Sequence, residues 1–118
     1  MKVAVLMSTY NGEKYLKDQI DSILGQAGDF QLDLWVRDDG SKDRTTEILD
    51  EYASCGKLKW YAGKNLKPAY SFLDLLKNCV GYDYYAFADQ DDLWVQGKLN
   101  AGIQAIKEYN VPALYCAN

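Results

Sequence analysis

There is no histidine among the 118 residues. Its absence removes Ser-His and Cys-His nucleophilic pairs and ordinary histidine-bound metal sites together. Any chemistry has to run on carboxylates, hydroxyls, amides and a metal held by oxygen. Proline is scarce, at 2 residues, and no Pro- or Gly-rich linker, low-complexity stretch or internal repeat divides the chain. Residues 1–118 therefore read as one domain, long enough for a hydrophobic core. No apolar run approaches the roughly 20 residues of a membrane span. The opening Val3-Ala4-Val5-Leu6-Met7 is too short for the apolar part of a signal peptide. Positive charge is not in excess: 13 Lys and Arg against 17 Asp and Glu leave a net charge of -4, which argues against a nucleic-acid partner. Cysteine is limited to Cys55, Cys79 and Cys116, odd in number and not spaced as metal-ligand pairs. They read as reduced thiols in or near the core of a cytoplasmic protein.

What is present is an alternation of two periodicities. Lys2 to Met7 is a short apolar run, as for a strand buried on both faces. Leu16, Ile20, Ile23, Leu24 and Ala27 recur at helical spacing, with Gly28 where the helix should stop. Leu32 to Arg37 is a second strand, and Ile48, Leu49, Tyr52 and Ala53 mark a second helical face. Leu58 to Ala62 is a third strand. Pro68 suits the first turn of a third helix, with Phe72, Leu73 and Leu76 expected on its buried side. Tyr82 to Ala88 is a fourth strand, Leu99, Ile103 and Ile106 a fourth helix, and Ala113 to Cys116 a last strand. Such alternation predicts an α/β fold: a mostly parallel sheet between two helical layers.

That architecture has a functional consequence. Strand-to-helix loops emerge at the carboxyl edge of a parallel sheet, where such folds bind ligands. The stretches "STYNGE" (8–13), "DDGSKD" (38–43), "GKNLK" (63–67) and "DQDD" (89–92) should therefore meet along one rim. Asp38, Asp39, Asp89, Asp91 and Asp92 crowd negative charge onto it. Asp38 and Asp43 suit helix caps. Asp89 and Asp91, at alternate positions, suit either a solvated acidic turn or a shared divalent cation, for which Mg²⁺ or Mn²⁺ fits an all-oxygen donor set. Tyr10 and Asn11 follow the first strand, where a loop would close over a bound ring. Lys64 and Lys67 are solvated charges that could approach phosphate oxygens. Trp35, Trp60 and Trp94 read as packing.

Four blocks in order, "STYNGEKYLKDQIDSILGQ" (8–26), "DDGSKDRT" (38–45), "SFLDLL" (71–76) and "FADQDDLW" (87–94) with Lys98-Leu99, resemble the amino-terminal half of family 2 glycosyltransferases. The resemblance is to the rhamnosyltransferase-like branch that builds bacterial surface polysaccharides. It implies a GT-A fold, a Rossmann-like α/β/α sandwich, and metal-assisted sugar transfer with inversion from a dTDP- or UDP-type donor. Rhamnose is a candidate sugar, and a saccharide or lipid-linked saccharide the implied acceptor. Carried over by position, Thr9, Tyr10 and Glu13 line the nucleoside pocket and Asp39 accepts a hydrogen bond from a pyrimidine base. Asp89 and Asp91 form the D-x-D facing ribose, Mn²⁺ or Mg²⁺, and diphosphate.

Two departures stand out. Where the family commonly has Asn-Leu-Gly-Pro-Ala-Lys, this chain has Asn65-Leu66-Lys67-Pro68-Ala69-Tyr70. Family members also run longer, so the chain is expected to be a donor-binding part truncated at its carboxyl end, with the catalytic base and acceptor site downstream. The implied location is cytoplasmic, at the inner membrane face in the full-length protein. Other α/β classes fit less well. A phosphoacceptor receiver wants an acid pair after the first strand, where Ser8-Thr9-Tyr10-Asn11 stand, and a dinucleotide-binding domain wants G-x-G-x-x-G there. A sugar-phosphate nucleotidyltransferase wants a basic, glycine-rich loop at the same place. A non-catalytic nucleotide-binding module stays open.

Overall fold

The computed structural model describes residues 1–64, 68–88, 93–108 and 114–117. The order of elements is β1 (Lys2–Thr9), α1 (Leu16–Leu24), β2 (Gln31–Asp38), α2 (Thr45–Ser54), β3 (Lys59–Ala62), α3 (Pro68–Asn78), β4 (Tyr84–Ala88), α4 (Lys98–Glu108) and β5 (Leu114–Ala117). The five strands form one sheet in the order β3-β2-β1-β4-β5, and every neighbouring pair is parallel. The expected alternation is present throughout. β1 lies at the centre, where the strand order reverses, and Val3 through Met7 are 0% exposed. That is why this strand reads as a continuous apolar run.

The two sides of β1 feed separate cores. Val3, Val5 and Met7 pack with Leu16, Ile20 and Ile23 of α1, Ile48 and Leu49 of α2, and Leu99 and Ile103 of α4. Ala4 and Leu6 face the other way, onto Leu75 and Cys79 of α3, with Phe72 and Phe87 beside them. The two phenylalanine rings stack at 4.8 Å between centroids. The register places Thr9 opposite Asp38, Asp38 opposite Ala62, and Met7 opposite Ala88. The carboxyl ends of four strands thus share one edge.

Several details depart from expectation. α1 stops at Leu24 with Gly25 as its C-cap, not at Gly28. The Gln26 side chain turns out of the helix to donate to Ser22 O and Val95 O and to accept from Leu99 N, so the chain ahead of Ala27 is diverted to α4. β1 and β2 each run further toward the shared edge than their apolar runs, because Ser8, Thr9 and Asp38 stay in the ladder. Leu73 is not on the buried face of α3; it is 51% exposed. The buried row is Phe72, Leu75, Leu76 and Cys79, at helical spacing of three, four and seven, and Leu73 falls one position outside it. Cys79 is buried, and burial pushes its thiol up to about 11. Cys55 is exposed, because it caps α2 at the surface instead of packing inside. The Ile106 and Cys116 side chains lie outside the described residues.

This division of the core is testable by denaturation. Ile20→Ala leaves a void in the larger core and should cost about 2–5 kcal/mol. Leu73→Ala, on the exposed side of α3, should stay within about 0.5 kcal/mol of the parent. Urea midpoints at constant slope measure both.

Candidate functional site

The shared edge is built around two consecutive aspartates at the end of β2. Strand alternation sends Asp38 and Asp39 to opposite faces, and β1 supplies a hydroxyl on each face to meet them. Thr9 Oγ1 donates to Asp38 Oδ1 at 2.9 Å, and Ser8 Oγ donates to Asp39 Oδ2 at 3.1 Å. Asp38 also accepts from Ser41 Oγ at 2.6 Å, Ser41 N at 2.8 Å and Gly40 N at 3.2 Å. Gly40 makes that turn possible, with φ at +89°. Asp38 and Asp39 are 1% and 4% exposed, which explains the density of donors: a buried carboxylate is tolerated only when its lone pairs are filled.

From there the first two loops are fastened to each other. Asn11 N donates to Ser41 Oγ, and Asn11 Oδ1 accepts from Lys42 N, both at 2.8 Å. Asn11 holds a left-handed backbone, φ +48°, which asparagine tolerates better than most residues. Gly12 N donates to Thr45 Oγ1 at 2.9 Å, and that hydroxyl donates onward to Asp43 Oδ1 at 2.5 Å. Asp43 accepts further from Thr45 N and Glu13 N. It thus takes the first amide of α2 from one residue ahead of the N-cap Arg44, which has no side-chain cap of its own. Asp38, expected as a cap, instead ends β2 and holds the turn to Ser41. Burial raises the Asp43 carboxyl, but the Thr45 hydroxyl and the Thr45 and Glu13 amides outweigh it and hold the group below its usual range.

On the α3 face, Asp39 belongs to a second network. Arg37, 4% exposed, pairs through Nη1 with Asp39 Oδ1. The same nitrogen donates to Lys64 O at 3.0 Å, and Nε donates to Asp74 Oδ2 at 3.0 Å. Ser71 Oγ lies 2.8 Å from Ser8 Oγ and 3.2 Å from Asp39 Oδ1. Tyr61 OH donates to Asp74 at 2.7 Å. That bond lowers the Asp74 carboxyl below its ordinary value; burial works against it, and Arg37 adds to the lowering. Gly63 is needed where it is, since a Cβ there would lie 2.2 Å from the Arg37 guanidinium.

The expected site residues therefore divide. Thr9 is 1% exposed and its hydroxyl serves Asp38. Tyr10 is 42% exposed beside it. Glu13 is exposed at the start of the first helix region, with its backbone tied to Asp43. Asp39 is buried within the α3-side network. These four are brought to one edge. Asp89, Asp91 and Asp92 lie outside the described residues, as do Asn65, Leu66 and Lys67. Lys64 is exposed at the same edge. Among the described residues, no group of three or more Cys, Asp or Glu is placed to hold a metal ion. Asp38 and Asp43 are occupied by protein donors and Asp39 is paired with the Arg37 cation, so the metal expectation rests on Asp89 and Asp91. Arg37, Ser71, Asp74 and Tyr61 were not singled out by the sequence. The signal for Arg37 was a cation inside an apolar strand, where burial demands a partner.

A groove of about 360 Å³ between α1 and α2 is lined by Lys17, Asp21, Glu51, Tyr52, Cys55 and Lys57. Tyr52 OH donates to Asp21 at 2.7 Å across it. Its charges are mixed, and it reaches the end of α2 at Cys55 and Lys57.

A parallel sheet between helical layers, with a polar carboxyl edge fastened in this way, is the architecture of the GT-A class. Solved structures agree. TarS of S. aureus, residues 1-349 in complex with UDP-GlcNAc, superposes with a TM-score of 0.76 at 31% identity, over 92% of this chain and 32% of that one. A mannosyltransferase of Pyrobaculum calidifontis shares the fold with a TM-score of 0.77 at 22% identity, over 88% of this chain and 32% of its own. The sequence profile described as Glycosyl transferase family 2 matches residues 4–117. The chain belongs to that family. Among curated relatives, the dTDP-rhamnosyl transferase RfbG of Shigella flexneri is 31% identical over 95% of this chain and 40% of its own length. The UDP-Glc:alpha-D-GlcNAc-diphosphoundecaprenol beta-1,3-glucosyltransferase WfgD of Escherichia coli is 27% identical over 96% of this chain and 44% of its own. The chain thus spans less than half the length of these two relatives.

Asp43 gives the loop fastening a pH signature. A carboxyl held below its ordinary value of 3.8 stabilises the fold above that value and ceases to as the pH falls through the lower, folded one. Asp43→Ala should cost about 1 kcal/mol at neutral pH. The gap between variant and parent should close as the pH drops below about 4. Thermal melts across that range measure it; a gap that widens in acid would contradict the assignment.

Proposed function

We propose that residues 1–118 are the donor-binding part of a glycosyltransferase, holding a nucleoside diphosphate sugar at the carboxyl edge of the sheet. One observation carries this reading. Residues 9–13 and 38–45 are locked to each other by hydrogen bonds that pair Asn11, Gly12 and Glu13 with Ser41, Lys42, Asp43 and Thr45, and Thr9 with Asp38 and Asp39. The lock fixes an exposed tyrosine beside a buried, ion-paired carboxylate. Tyr10 offers a ring face for a base, and Asp39 offers an acceptor to a base N–H. Thr9 contributes through Asp38, and Glu13 borders the nucleoside side. The names of the relatives, one a dTDP-sugar and one a UDP-sugar enzyme, favour a pyrimidine donor, with rhamnose as one candidate sugar.

Asp89 and Asp91 would hold the divalent metal, Mg²⁺ or Mn²⁺, following directly on β4, whose last residue Ala88 is buried next to β1. A cation bound there would neutralise charge on the leaving diphosphate. Transfer with inversion also needs a base within hydrogen-bond reach of the acceptor hydroxyl. Asp38 and Asp43 are spent on protein donors and Asp39 is assigned to the nucleobase, so that base is proposed to lie outside residues 1–118, together with the acceptor site. The acceptor is taken to be a saccharide or lipid-linked saccharide, which fits the diphosphoundecaprenol substrate in the name of the E. coli relative. No helix among the described residues is long and apolar enough to cross a membrane. The proposed location is cytoplasmic, at the inner membrane face.

A thermal-shift panel of UDP, dTDP, GDP and CMP, each with and without Mn²⁺, tests the reading. UDP or dTDP with Mn²⁺ should stabilise the chain by about 2.7 kcal/mol at a hundredfold excess over Kd. Stabilisation by GDP with none from UDP or dTDP would refute the pyrimidine assignment. Asp91→Asn should weaken UDP binding in Mn²⁺ and leave the metal-free melting temperature unchanged or slightly raised. Equal UDP affinity with and without metal would refute the role of Asp89 and Asp91.

A further inference from the structure

We infer that Arg37 is the positioning residue that sets base selectivity, by holding Asp39 as an acceptor-only carboxylate aimed from the α3 face of the sheet. The inference rests on the nucleotide reading above and adds to it a residue that never touches the ligand. Arg37 lies in β2 and Asp39 is the first residue past its end, two positions on, and the two side chains pair on the same face. Among the described residues, Arg37 is the only buried cation. Its guanidinium is pinned at three points, Asp39 Oδ1, Asp74 Oδ2 and Lys64 O. Gly63 leaves the room for it, since a side chain there would collide with Nη2. Asp74 is in turn held by Tyr61 OH at 2.7 Å. The fork therefore has one orientation available, and it passes that orientation to Asp39 together with Ser8 and Ser71.

The chemistry follows from what an ionised carboxylate can do: it accepts hydrogen bonds and cannot donate one. Uracil and thymine carry an N–H at ring position 3, which such a group accepts. Cytosine carries a bare nitrogen acceptor there, so an ionised Asp39 faces it lone pair to lone pair. A site built around one hydrogen bond rejects the analogue that cannot make it, because the buried partner is left unpaired. Without Arg37, the Asp39 carboxyl keeps Asp38 and Asp74 as charged neighbours and loses its counter-charge, with Lys64 exposed at the edge. The carboxylate is then no longer held in the one orientation that distinguishes the two bases. Lysine at this position would keep the charge but not the fork, since its single ammonium cannot reproduce the planar, multi-point geometry.

The experiment is isothermal titration of UDP and CDP, with Mn²⁺, into the parent, Arg37→Met, Arg37→Lys, Asp39→Asn and the double variant Arg37→Met/Asp39→Asn. The parent should prefer UDP by about tenfold or more. Arg37→Met should bring the UDP-to-CDP ratio close to one, with Arg37→Lys between the two. Asp39→Asn, which presents an amide donor, should shift the preference toward CDP. An Arg37→Met variant that binds UDP more weakly but keeps the parental ratio overturns the inference, because a purely structural loss weakens both nucleotides alike. If Arg37→Met does not fold, the double variant decides, since it removes both buried charges together. A UDP-to-CDP ratio equal to that of Asp39→Asn alone supports action through Asp39, and a different ratio overturns it. A parent that binds neither nucleotide refutes the nucleotide reading itself, which is a separate failure from a parent that discriminates through some other residue.

Discussion

Two adjacent negative charges, buried at the end of one strand, are the constraint around which the edge of this protein is built. Asp38 and Asp39 cannot share a partner, because the pleat turns them to opposite faces. Each face has to supply its own compensation. On the α1 and α2 side this comes from Thr9, Ser41 and the amides of a tight turn at Gly40. On the α3 side it comes from Arg37, Ser8 and Ser71. Removing one member of a buried ion pair costs about 3–5 kcal/mol, because the other charge is stranded. The edge is therefore held in place by the same bonds that make its carboxylates tolerable.

That constraint propagates outward. The donors recruited to Asp38 and Asp39 come from β1, the turn after β2, and α3, while Arg37 reaches the backbone at Lys64 after β3. Three strand ends and one helix are joined through two side chains. A rigid edge is what a nucleotide site needs, since a contact out of place by a fraction of an ångström loses most of its selectivity. Tyr10, exposed at this edge, and Glu13, tied through its backbone, are positioned by residues that no ligand has to touch. The groove between α1 and α2 has mixed charge, with Lys17 and Lys57 set against Asp21 and Glu51. It lacks a buried polar group held for a partner.

The layer architecture was legible in the chain because apolar periodicity reports burial. β1 read correctly as a doubly buried strand from its unbroken apolar run, and each strand end led to the loop that the parallel sheet then places on the edge. Misreadings fell where polar residues continue an element or leave one. Ser8, Thr9 and Asp38 remain in the ladder although they are polar, since the edge needs them there. Gln26 leaves α1 early because its amide bridges to α4, which no pattern within residues 16–28 could reveal. Leu73 was placed inside α3 by its type, whereas the rotation of the helix is decided by Phe72, Leu75 and Cys79. At the site, the loop residues were visible as polar punctuation after strands. Arg37, Ser71 and Asp74 were not, since their meaning depends on contacts across about 30 residues of chain or more.

The most direct test of the account is a map of backbone amide shifts as UDP and Mg²⁺ are titrated into the labelled chain. The account predicts that the largest changes fall on residues 9–13 and 39–42, where the first two loops are fastened, and that Lys17, Glu51 and Lys57 stay fixed. Changes centred on the groove between α1 and α2, with the amides of Tyr10, Asn11 and Gly40 unmoved, would contradict it.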